Sequence, residues 1–444
     1  MGREELERST AIADERLGKS SQQYHTKGDG YEKEPGFYLK EARLRLGLSQ
    51  SDVAAGICDV SYLSKLENLE IPWEDGNLRQ EQLRERLGIE SFPKVRGNWL
   101  LKYQELFWSR NTGALRVAVN SMKDGFQHRM LLLALYVLLD MTGKANHLVS
   151  YFRRLEPYLS VYELQLYYLC LGCQMMGYEQ GYYLLHSLRM ARYAQLQDPF
   201  LYMALSKYLF TAGLHSHGQK LLREAEQVAK QLAATSYYID YLTLSAIAYL
   251  QNSLTDSAAP KLEVLRSIKH QASAVQKGLY LLALGLYHQR KNQSQQAESA
   301  FIRSLAMTRH NPFPNSELPL IQLAALYSDD QKEKGLQKLV NHPRLAQLDL
   351  PKNWRHKLTF YEEKARQEPA TNPSLFVQLN LGGAFREALD NHDADFLKLY
   401  GKTLMAYYEK HGKYKKAVAI QQELDRFEHT VKTFQITLNE SIQI

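Results

Sequence analysis

The chain has 444 residues, too many for one small domain, so two or more folding units are expected. Apolar residues make up 45% and charged residues 23%, the balance of a globular protein in water, and no run reaches the ~18 uninterrupted apolar residues of a membrane span. A formal charge of +7 permits a polyanionic partner without requiring one, and three cysteines (Cys58, Cys170, Cys173) are too few for a disulfide framework, which points to a reducing cytoplasm.

Residues 1–35 are rich in charged and small polar side chains and read as a flexible N-terminal extension with room for a short helix, dispensable for stability and for DNA binding. From Phe37 the apolar rhythm becomes helical and stays so, with no convincing strand alternation. Within residues 36–90, "FYLKEARLRLGL" is an amphipathic helix ended by Gly47. Ser49 then caps a second helix, with Asp52 at its third position. Ala54 allows a close helix crossing, Gly56 to Cys58 makes the turn, and Asp59 opens the next helix. Leu63 and Leu66 face inward there, leaving Val60, Ser61, Tyr62, Ser64 and Lys65 outward. That is the layout of a helix-turn-helix whose second helix enters a major groove.

"SFPKVRGN", residues 91–98, reads as a linker, and beyond it the chain repeats. In "YLLALGLYHQRKNQSQQAESAFIRSLAMTRHNP", Gly285 is followed by Ala297, Phe301 and Pro312 at tetratricopeptide offsets. Such a unit needs small residues where its two helices cross and a large one plugging the neighbour. Tyr136, Gly172, Ser206, Ala246 and Met405 align with Gly285, and Gly143, Gly213 and Gly412 fall where turns belong. The array spans residues 99–430, with 431–444 left as a C-terminal tail. Stacked pairs form a right-handed superhelix whose first helices line a groove. The groove-facing offsets select Asp140, Lys207, Thr243, Gln251, Gln289 and Arg290, with Tyr202, Tyr208, Tyr241 and Tyr280 nearby. Polar amides among aromatics suit an extended peptide, whose backbone needs donors and acceptors and whose side chains need pockets.

"LSQSDVAAGICDVSYLSKLEN", followed by "LRERLGI", resembles the DNA-binding domain of the peptide-pheromone regulators of Gram-positive bacteria. That group includes the Rgg, NprR, PlcR and PrgX types and the related Rap phosphatases. The resemblance implies an all-α chain: an XRE-type helix-turn-helix domain followed by a tetratricopeptide superhelix. It also implies a homodimer on operator DNA, controlled by a short reimported signalling peptide in the groove. By position it makes Arg43 and Gln50 phosphate contacts and Ser61, Tyr62, Ser64 and Lys65 the recognition set. Lys207, Tyr208, Tyr241, Thr243, Gln251, Gln289 and Arg290 become the peptide-binding candidates. The helix-turn-helix segment Phe37 to Glu90 holds seven Lys/Arg against ten Asp/Glu, so a monomer should bind DNA weakly and dimerisation should matter. Lys94, Arg96 and Lys102 can restore some positive charge near the backbone.

Cys170-Leu-Gly-Cys173 lies in an expected helix without a second ligand pair and reads as packing rather than a zinc site; His215-Ser-His217 reads as a solvated repeat turn. No phosphate loop, nucleophile elbow or zinc-protease motif occurs, so nothing argues for an enzyme or a cofactor. The alternative reading is a repeat-domain protein that sequesters a response regulator or another protein partner under peptide control.

Overall fold

The computed structural model describes residues 7–15, 33–92, 99–100, 102–103, 106, 112–139, 141–232, 235–307, 318–329, 357–361 and 381–443. Among the described residues every regular element is a helix, and no helix is long and apolar enough to cross a membrane. The chain divides into two compact units: residues 1–174 with 183–197, and residues 175–182 with 198–444. Asp140, Lys94, Arg96 and Pro312 lie outside the described residues.

In the first unit, α1 (residues 7–15) is followed by α2 (Pro35–Arg45), α3 (Gln50–Ala54), α4 (Val60–Glu67) and α5 (Leu78–Arg86). Pro35 starts α2 where a missing N–H costs nothing, and Gly47 leaves it at φ +70°, a conformation glycine adopts without strain. Ser49 and Asp52 form the expected capping box on α3. The Ser49 hydroxyl and backbone N–H both donate to the Asp52 carboxylate and hold its pKa below the usual range. Leu39, Ala42, Val53, Ala54, Leu63, Leu66, Leu83 and Leu87 make one core, each leucine contributing about 1.5–3 kcal/mol by leaving water.

The unit continues with α6 (Thr112–Asn120), α7 (Phe126–Leu138), α8 (Thr142–Leu155) and α9 (Val161–Gln174). Gly143 sits inside the first turn of α8 rather than in a connecting turn. The helix-turn-helix core is docked on these helices by specific contacts. Phe37 meets Phe126 edge-on at 5.2 Å, the Tyr151 hydroxyl donates to Glu41 at 2.7 Å, and Lys33 pairs with Glu163 at 2.7 Å. Glu41 is buried there, which raises its pKa, while the Tyr151 bond and Arg45 pull it back.

The expectation of a flexible N-terminal extension fails for residues 7–15. They form a helix that buries Ser9, Ile12 and Ala13. The Ser9 carbonyl accepts from Tyr168, Thr10 bonds the His186 ring at 3.0 Å, and Asp14 pairs with Arg189 at 2.6 Å. Composition hid this because three small or apolar side chains on one face suffice for a short helix with ready partners.

The helix Gly177–Tyr193, α10, contributes residues to both units. In the second unit, helix pairs follow one another: α11 (Pro199–Thr211) with α12 (His215–Gln231), α13 (Thr235–Gln251) with α14 (Thr255–Ile268), and α15 (Ala274–Arg290) with α16 (Ser294–Met307), then α17 (Leu318–Asp329). The small-residue positions do what a tetratricopeptide unit requires. Phe301 packs so closely on Gly285 that an added Cβ would lie 2.4 Å from its ring, and Ser206, Ala246 and Ala297 are fully buried. Gly213 turns at φ +80° and Gly412 at φ +67°. His215 opens α12 instead of lying in a loop, and His217 bonds Asn439 at 3.0 Å. Cys170, in the first unit, is fully buried, as packing requires.

The second unit closes with α18 (Gly382–Asp390), α19 (Ala394–Lys410) and α20 (Tyr414–Gln443). Residues 431–443 are therefore not a tail but the end of a 30-residue helix. Phe434 and Leu438 are buried in it, and the Phe434 ring meets Tyr182 at 5.4 Å and Tyr208 at 5.3 Å.

Candidate DNA-binding surface and repeat groove

The second helix of the helix-turn-helix, α4, presents two faces. Leu63, Leu66 and Glu67 are buried, whereas Ser61 and Lys65 are exposed and Ser64 is half-buried. Asp59 stands at the cap position in extended backbone, without a side-chain capping bond. Tyr62 differs from expectation: it packs on the core, and its hydroxyl accepts from Gln80 Nε2 at 3.1 Å. Gln80 is itself buried, donates to the Pro72 carbonyl and accepts from the Glu74 N–H. Tyr62 therefore joins α4 to α5 and has only part of its ring available outward.

Arg43 is the larger correction. Its guanidinium makes a bidentate pair with Glu67, at 2.6 and 2.7 Å, and donates to the Leu48 carbonyl at 3.1 Å. Arg43 is buried and Glu67 fully so, which removes this arginine from the phosphate-contacting set. Planar fork-to-fork geometry is the arrangement in which a buried charge pair is best satisfied. Gln50 adds a third bond to the same carboxylate, from Nε2 at 2.9 Å, and stays half-buried at the start of α3. Sequence reasoning missed Glu67, yet the signal was present. It lies four residues after Leu63, on the same inward stripe, where an unpaired carboxylate would be costly and a buried partner is implied.

The groove candidates separate into two sets. Tyr208, Tyr241 and Thr243 are buried between helices and do not face solvent. Thr243 Oγ1 donates to the Ile239 carbonyl of its own helix at 2.8 Å. Tyr241 lies under the Lys261 ammonium, 5.0 Å from its ring centre, and accepts from it. Tyr208 bonds His392 Nδ1 at 3.2 Å, and burial holds the His392 pKa down at about 4. Tyr202 is also buried, and Tyr280 is half-buried. The reason is geometric: a first helix is flanked by its own partner and by the next pair, so more of its circumference is covered than one stripe.

Lys207, Gln251 and Arg290 remain exposed and Gln289 half-exposed. Arg290 is not a freely presented cation, however. Its Nε donates to the Leu250 carbonyl at 3.0 Å and its Nη2 to the Gln251 carbonyl at 3.3 Å, across two repeats. It thereby satisfies carbonyls at the end of α13 and complements that helix's negative pole.

Residues 39–72 match the helix-turn-helix family model. The structure of NprR in complex with its cognate peptide NprX superposes with a TM-score of 0.56 at 14% identity, over 73% of this chain and 98% of that one. The chain has the fold of NprR. A Rap protein complexed with competence and sporulation factor matches with a TM-score of 0.50 at 11% identity, over 75% of this chain and 97% of that one. The apo form of the quorum sensor NprR from B. thuringiensis matches at 0.47 and 15% identity, covering 76% of this chain and 97% of that one. No curated protein sequence matches significantly. The NprR-like fold is thus an all-α chain, an XRE-type helix-turn-helix domain followed by a tetratricopeptide superhelix, as the sequence led one to expect.

Proposed function

We propose that this chain is a peptide-responsive transcription regulator. It binds operator DNA through α4 and takes a short signalling peptide along the first helices of its repeats, as a cytoplasmic homodimer. One observation carries the reading: Ser61 and Lys65 stand exposed on a helix whose other face is locked by Leu63, Leu66 and the buried Glu67. A rigid helix with small polar and basic groups outward can enter a major groove without first paying to order itself. Gln50, Ser61, Ser64 and Lys65 are the proposed DNA contacts, and Lys207, Gln251 and Gln289 the proposed peptide contacts. The likeness in fold to a protein solved with its cognate peptide supports the second half of the reading.

The test is a mobility shift on DNA from upstream of the protein's own gene, with and without peptide extract. Lys65→Ala should weaken the specific complex by about 1–3 kcal/mol if Lys65 reads a base. If it touches only phosphate, all sequences should weaken alike. Wild-type affinity in a folded Ser61→Ala/Lys65→Ala protein removes α4 from the interface. The Rap-like alternative, sequestration of a protein partner, would leave every DNA fragment unshifted.

A further inference from the structure

A cleft of about 700 Å³ lies wholly within the first unit. Its walls come from three parts of the chain: Arg8 on α1, Lys40 and Arg43 on α2 with Ser49 and Gln50 at the start of α3, and Arg153 and Arg154 in the last turn of α8. Five lining residues are basic and none is acidic. Arg43 is balanced by Glu67, and Lys40 donates to the Tyr158 hydroxyl and lies over its ring. Arg8 and Arg153 both act electrostatically on the buried Glu156, which accepts from Tyr168 at 2.9 Å, and Arg153 also hydrogen-bonds Tyr167. Arg154 is exposed. Cations gathered around one open cleft repel one another, and a polyanion relieves that repulsion.

We infer that this cleft holds backbone phosphates of the bound DNA, so that the repeat helix α8 and the N-terminal helix α1 belong to the DNA interface. The inference rests on the DNA-binding reading above. Two observations favour duplex DNA over a small anion. The first helix of a helix-turn-helix crosses the DNA backbone, and here the residues beginning that helix form one wall of the cleft, so the phosphate track continues into it. The helix-turn-helix segment itself has seven basic against ten acidic residues and lacks the charge that phosphate neutralisation requires. Arg8, Arg153 and Arg154 supply it from outside that segment.

Phosphate contacts ignore sequence, so the experiment needs no known operator. The full chain is titrated with a random-sequence 30-base-pair duplex at several salt concentrations. Arg153→Ala/Arg154→Ala should bind about ten-fold more weakly, and the slope of log affinity against log salt should become shallower by roughly two. Arg153→Lys/Arg154→Lys should restore most of both, and Lys415→Ala/Lys416→Ala should control for net charge. A role confined to the end of α8 would lower the melting temperature and leave the salt slope unchanged, which overturns the inference. So does stabilisation of the wild type but not the alanine variant by inorganic tripolyphosphate with DNA affinity unaltered, since the cleft is then a small-anion site. No DNA binding by the wild type at any salt overturns the regulator reading itself; wild-type binding unaltered in the variant overturns the cleft alone.

Discussion

The helix-turn-helix and the repeat array answered the same question differently. In the helix-turn-helix, Ser61 and Lys65 are exposed where the motif places them, and Tyr62 and Arg43 are the two that turn inward; in the repeats, three groove candidates, Tyr208, Tyr241 and Thr243, are buried between helices. A helix-turn-helix is a small closed motif whose inward leucine stripe fixes most of its outward positions. A repeat helix is packed from two sides, and its register alone leaves open which polar positions are covered. The difference teaches that spacing locates a fold element more securely than it locates a surface.

Breaking the polar centre of the first region should give the largest effect. Glu67→Ala leaves the Arg43 guanidinium buried without its carboxylate, and should destabilise the helix-turn-helix by about 3–5 kcal/mol in chemical denaturation. Nothing of that size is expected from the repeat candidates. An effect below 1 kcal/mol would mean the pair is hydrated in solution and the two regions are less different than their geometry implies.

Each unit also carries a buried histidine, His186 in the first and His392 in the second, with pKa values lowered to about 4 by burial. Both are neutral when folded and protonate near 6.5 when unfolded. The unfolded chain therefore binds more protons between pH 6.5 and 4. The stabilisation is complete above about pH 6.5 and is lost as pH falls towards 4. Thermal melts over that range should show falling stability, and His186→Gln and His392→Gln should each flatten the fall. A pH-independent melting temperature would mean that neither ring is held neutral.

Gly285→Ala sharpens the comparison within the repeats. The new Cβ would lie 2.4 Å from the Phe301 ring, and the strain should cost about 1–3 kcal/mol. Phe301→Leu in the same chain should recover part of it. The smallest effect belongs to Gln251→Ala, an exposed side chain, which should change stability by less than about 0.5 kcal/mol. Calorimetry with the cognate peptide should nonetheless show weaker binding, and wild-type affinity there would place the ligand elsewhere.

Several features were legible before any coordinates. The Ser49–Asp52 cap, the inward Leu63 and Leu66, the small residues Gly285 and Ala297 at a helix crossing and the turns at Gly213 and Gly412 all follow from short-range rules, because capping, helical period and positive φ depend on neighbours a few residues away. Composition misjudged the ends. Residues 7–15 and 431–443 are polar on average, yet Ala13, Phe434 and Leu438 are buried. An average over a segment hides one apolar face.

The sequence by itself determined an all-α chain, its helix-turn-helix and its repeat register, since these follow from periodicity and local backbone chemistry. Only the tertiary structure decided what each charge pairs with and where charges gather. Arg43 is closed off by Glu67, 24 residues away, and Arg290 by carbonyls 39 and 40 residues away. Arg8, Arg153 and Arg154 are brought to one cleft with Lys40 from segments that no local pattern connects. Charge acts through space, and the distances that govern it exist only once the chain has folded.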